Sequence, residues 1–144
     1  MLYEPLELVL LTKGNEYAGH IYAKRRLSKI LRKVGFITFY EVETGPIETE
    51  LGLRNYSIDV FGIWQHSDGS VREIAFEVDG KKGHQSKHNK SRDNFRDRIH
   101  WEYQELPTVR LERPWLSGKS KVSDNDILRE IVWQLKTKYG VELR

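Results

Sequence analysis

The chain has no cysteine among its 144 residues, which excludes a disulfide framework, a thiolate zinc site and a cysteine nucleophile. Any metal must therefore be held by oxygen or imidazole. No apolar run approaches the about 20 residues of a membrane span. The opening MLYEPLELVLLTKG carries two acids where a secretory signal would be basic, which predicts an unprocessed cytoplasmic chain with no membrane partner. There is no glycine-rich strand-to-helix loop to cradle a nucleotide phosphate. No nucleophile-elbow motif points to serine hydrolase chemistry. Internal repeats, low-complexity tracts and linkers are also missing, so residues 1–144 read as one domain with one core.

What is present is charge. Charged residues make up 31% of the chain, above the usual quarter, while the 38% hydrophobic share suffices for a packed interior. Net charge is only +3, yet KRRLSKILRK (24–33) holds six Lys/Arg and no acid, and residues 81–98 hold seven Lys/Arg against two Asp. Such blocks suggest a polyanion partner, with a solvated helix face as the plainer reading.

Hydrophobic spacing predicts a helix from Asn15 to Val34 stopped by Gly35, and a strand over FITFYEV (36–42). The acidic stretch 43–53, with Gly45–Pro46, reads as a loop. YSIDVFGIW (56–64) and VREIAFEVD (71–79), joined by QHSDGS, read as antiparallel strands at the centre of a sheet. A helix follows from His84 or Ser91 to Glu105, then a strand over 107–113 and the loop PWLSGKS. Ser123 opens a last helix of about 124–139 that ends at Gly140. The order helix, three strands, helix, strand, helix predicts the α/β or α+β class, with a mixed central sheet flanked by helices.

Asp59 interrupts an otherwise apolar strand. A buried carboxylate needs a cation or a strong partner. Glu77 and Asp79 share a face of the next strand, so three acids from adjacent strands can form an oxygen-rich site for Mg²⁺ or Mn²⁺. The cations after Gly80 would then hold a phosphate. Glu41 is either solvated or approaches from the neighbouring strand. His84 and His88 stand four apart but lack a third zinc ligand; His84 suits a general base or a phosphate contact better. Tryptophans 64, 101, 115 and 133 read as core or interface residues rather than base-stacking platforms.

Asp59 in YSIDVFG, and Glu77 in FEVDG about twenty residues later, resemble the PD-(D/E)XK (restriction-endonuclease-like) nuclease superfamily. EVDGKKGH followed by RDNFRD and TVRL looks similar to its very short patch repair endonuclease branch, with Asp93, Arg96 and Asp97 matching the helix and Val109 to Leu111 the strand. The resemblance covers about residues 14–113 and also touches archaeal-type Holliday junction resolvases. It implies a Mg²⁺-dependent (or Mn²⁺-dependent) DNA endonuclease acting in repair or recombination on duplex or branched DNA, and a homodimer where two nicks need two sites. Asp59 and Glu77 would be metal ligands, and Glu16 would hold water or a second metal. Where ordinary members carry a lysine this chain has Asp79. Either Asp79 is a third ligand, with Lys81, Lys82 or His84 supplying the positive charge, or the site no longer cuts and the protein is a non-catalytic nucleic-acid-binding module. Lys24, Arg25, Arg26, Lys29, Lys82, Lys87, Arg92, Arg96 and Arg98 would contact phosphates.

Overall fold

A computed structural model describes residues 18–80 and 87–144. The elements are α1 (Ala18–Lys33), β1 (Ile37–Thr49), β2 (Gly52–Gln65), β3 (Val71–Asp79), α2 (Lys87–Gln104), β4 (Thr108–Glu112) and α3 (Asp124–Tyr139), with a 3₁₀ turn at Arg113–Leu116. The four strands form one sheet in the order β1-β2-β3-β4. β1, β2 and β3 pair antiparallel, and β4 lies parallel to β3. This is the expected α+β class with a mixed sheet flanked by helices.

Alternation along β3 separates the two faces of the sheet. Ile74, Phe76 and Val78 join Leu27, Ile30 and Leu31 of α1 and Ile127, Ile131 and Leu135 of α3 in the main core. Ala75 belongs instead to a smaller cluster with Val42, Ile58, Phe61 and Leu106. Glu77 is on the Ala75 side, where α2 lies across the sheet and Arg96 reaches it. α3 begins as expected, with Ser123 accepting from the Asp126 N–H at 3.1 Å. It ends at Gly140, whose left-handed φ of 65° lets its N–H reach back to the Lys136 carbonyl.

One expectation is overturned. The acidic stretch 43–53 is not a loop: β1 continues to Thr49 and β2 restarts at Gly52, pairing Ile47 with Arg54 and Thr49 with Gly52. Gly-Pro signals a break only where the ladder needs the proline N–H. On this edge strand the pair is absorbed as an irregularity between Thr44 and Ile47. Gly45 is required there, because its φ is +118° and a Cβ would sit 2.7 Å from the Arg54 carbonyl.

Candidate active site

β2 and β3 run side by side as far as the pair Val60–Phe76 and then part, while β3 goes on pairing with β4 to Asp79–Glu112. Val78 thereby loses a backbone partner on the β2 side. The Asp59 carboxylate replaces it, with Oδ2 accepting from the Val78 N–H at 2.8 Å. The fork thus fixes one acid at the opening between two strands. Glu77, immediately before Val78, is buried beside it. The two carboxyl groups lie close enough for each to shift the other's titration.

Two carboxyl groups in contact cannot both carry charge cheaply. Burial, and then the negative charge of Asp59, push Glu77 well above the usual carboxylate range, outweighing the Arg96 guanidinium 2.6 Å away. Burial alone would raise Asp59 as well. Hydrogen bonds from His20, Glu77 and the Val78 amide, together with the Lys24 charge, instead lower it to about 2. The pair therefore favours a single shared proton at neutral pH.

The surrounding groups come from α1 and β1. Lys24 is fully buried, ion-paired with Glu41 and 3.9 Å from Asp59 Oδ1. His20, one helical turn earlier, places Nε2 3.5 Å from the same oxygen. Glu41 drops out of the β1–β2 pairing between Tyr40–Val60 and Val42–Ile58, opposite Asp59, without shifting the register. Its φ of +49° is left-handed, a strain of about 1 kcal/mol or more for a residue with a Cβ. From there its carboxylate meets Lys24 and accepts from Ser57 Oγ at 2.6 Å. Of the two alternatives for Glu41, the approach from the neighbouring strand is the one observed.

Several expected roles change. Asp79 is not brought to the Asp59–Glu77 pair. Its Oδ1 accepts from Arg110 Nη1 at 2.9 Å, in a cluster where Arg110 also holds Asp97 through two bonds of 2.8 and 2.7 Å and lies 3.6 Å from Asp93. Arg110 is the residue opposite Glu77 in the parallel register, so it intercepts Asp79 on the shared face. Among the described residues, no three acidic or imidazole groups form a ready-made metal cage.

Lys24 is not a surface phosphate contact, because it lies on the core-facing stripe with Leu27, Ser28 and Leu31. Arg26 is tied to the Trp115 and Val122 carbonyls at 2.9 and 2.8 Å, which latches α1 to the segment before α3. Arg96 is likewise committed, to Glu77 and the Ser57 carbonyl. Arg98 pairs with Glu50 at 2.6 Å. Arg25, Lys29, Lys87 and Arg92 remain exposed. Glu16, Lys81, Lys82 and His84 lie outside the described residues.

The donor set fits a hard divalent cation. Asp59 and Glu77, neighbouring acids at one strand fork, would offer oxygen ligands to such an ion, with Arg96 the cation it would have to displace or share Glu77 with. Mg²⁺ usually binds proteins through one or two carboxylates and completes its shell with water and substrate phosphate. Comparison with protein-family models, with curated proteins and with solved structures returns no match. No helix among the described residues is long and apolar enough to cross a membrane.

Proposed function

We propose that the protein is a metal-dependent DNA endonuclease with a restriction-endonuclease-like core, hydrolysing phosphodiester bonds in repair or recombination substrates. The observation that carries this reading is the carboxyl pair of Asp59 and Glu77 at a strand fork, with the buried ammonium of Lys24 3.9 Å from Asp59. Asp59 and Glu77 would hold Mg²⁺ or Mn²⁺. Such an ion polarises the scissile phosphate and lowers the pKa of water.

The chain's own groups do the remaining work. Lys24, buried and paired with Glu41, sets the charge balance beside Asp59 and helps keep that carboxylate ionised. Arg96 and the Val78 amide hold Glu77 and Asp59 in place. His20 orients the second Asp59 oxygen. Exposed Arg25, Lys29, Lys87 and Arg92 would track flanking phosphates, a contribution that weakens with salt. A non-catalytic nucleic-acid-binding module is the second reading, because position 79 holds Asp where ordinary members carry a lysine and the buried Lys24 beside Asp59 is already paired with Glu41. A homodimer would follow if the substrate needs two nicks.

The test is a cleavage panel of four-way junction, flap, mismatch, duplex and single-stranded DNA with Mg²⁺ or Mn²⁺. Wild type should cut at least one substrate. Asp59→Ala and Glu77→Ala should abolish the cut while DNA binding survives or tightens. Full activity in both variants overturns the assignment.

A further inference from the structure

A cavity of about 460 Å³ opens between the end of β3, α2, β4, the 3₁₀ turn and α3. Asp79 and Gly80 form one edge of it. Asp79 is two residues beyond Glu77 on the same strand face, so the cavity begins about 7 Å from the site. Two tryptophans line it: Trp115, partly buried, and Trp133, 57% exposed on α3. The exposed indole of Trp133 gives this concave surface an aromatic face on which a planar group can stack.

The polar lining narrows the choice of ligand. Arg110 forms part of the wall, but its guanidinium is spent on Asp79, Asp97 and Asp93, so it offers little to a phosphate. The exposed amide of Asn94 and the carboxylate of Glu112 can donate to and accept from the edge of a heterocycle, and exposed Lys90 at the rim suits an attached phosphate. The volume falls within the range of pockets for small planar ligands.

We propose that this cavity takes the base of a single unpaired or extruded nucleotide, read by Trp115 and Trp133 on its face and by Asn94 and Glu112 on its edge. The proposal rests on the nuclease reading for its substrate class and supplies what that reading lacks, a source of structure specificity. Duplex DNA keeps its bases stacked and cannot fill the cavity without unstacking one. Bulged, mismatched or branched DNA presents a base at lower cost.

The experiment measures binding by fluorescence anisotropy in EDTA, so that cleavage plays no part. The probes are a short duplex with one unpaired nucleotide and the same duplex with an abasic residue at the bulge. Wild type should prefer the base-bearing probe by about 5- to 150-fold, the range for stacking one base on an aromatic side chain. Trp133→Ala and Trp115→Ala should lose that preference, and Trp133→Phe, which keeps an aromatic face and guards against misfolding, should retain most of it. Equal binding of the two probes by wild type, binding of neither, or a preference that survives both alanine variants overturns the pocket. Mg²⁺-dependent cleavage, scored separately, judges the nuclease reading: preference without cleavage sinks that reading alone, and cleavage without preference sinks the pocket alone.

Discussion

Replacing Lys24 by methionine tests how the site is assembled. Methionine keeps the length and packing of the side chain and deletes only the charge. Lys24 is fully buried, with Glu41 as its ion-pair partner and Asp59 3.9 Å away. Glu41 has only 10% of its side chain accessible, so little water can replace the ammonium. Removing one partner of a buried pair costs about 3 to 5 kcal/mol, because the other charge is left uncompensated. The Ser57 hydroxyl still bonds Glu41, which places the expected loss near about 3 kcal/mol, or roughly 10 °C in Tm for a domain of this size. Urea denaturation of Lys24→Met should show that loss with an unchanged slope. The double variant Lys24→Met, Glu41→Leu should recover most of the stability, since an apolar replacement of a buried pair is often neutral. Metal-dependent cleavage should be lost in both. A single variant within about 0.5 kcal/mol of wild type, the scale of an ordinary surface substitution, would refute the buried pairing.

Two further outcomes follow from the same electrostatics. Arg110→Met should destabilise by about 3 kcal/mol or more, because Asp79, Asp93 and Asp97 would face one another without their cation; Arg110→Lys should fall between, losing the two-bond grip on Asp97. Chemical denaturation measures both, and equal stability of all three proteins would contradict the cluster. His100 is buried against Thr44 at 2.8 Å, and burial, reinforced by Arg96 and Arg110, lowers its pKa from 6.5 to about 4. The unfolded chain therefore takes up a proton below about pH 6.5 that the folded chain refuses until about pH 4. Stability contributed by His100 is full above pH 6.5 and is lost as pH falls through that window, by up to about 3 kcal/mol. Denaturation midpoints across the window should fall more steeply for wild type than for His100→Gln, and equal slopes would contradict the burial.

Much of the fold was legible because period and punctuation agree. The Ser123 cap and Gly140 stop bracket α3, the Asp-Gly turn joins β2 to β3, and each is a local signal that tertiary contacts do not override. The extension of β1 was hidden because proline and acidic residues are poor strand formers in isolation, and only pairing with β2 holds them extended. Within the site, Asp59 and Glu77 could be read from an acid in an apolar strand and another two decades of residues further on. Lys24 was concealed by its basic neighbours. Read as one block, residues 24–33 look solvated; read by helical period, position 24 falls on the stripe of Leu27, Ser28 and Leu31, where a lysine needs a buried acid. Asp79 was misplaced because strand alternation gives its face but not its partner. Arg110 comes from a parallel strand 31 residues away and takes it.

In the proposed site Asp59 and Glu77 would bind the metal together. Calorimetric titration of Mn²⁺ into the protein without DNA tests it most directly. Wild type and Asp79→Asn should show the same saturable binding, and Asp59→Asn and Glu77→Gln should each lose it. Binding that persists in both of these last variants, or that depends on Asp79 instead, would contradict the account.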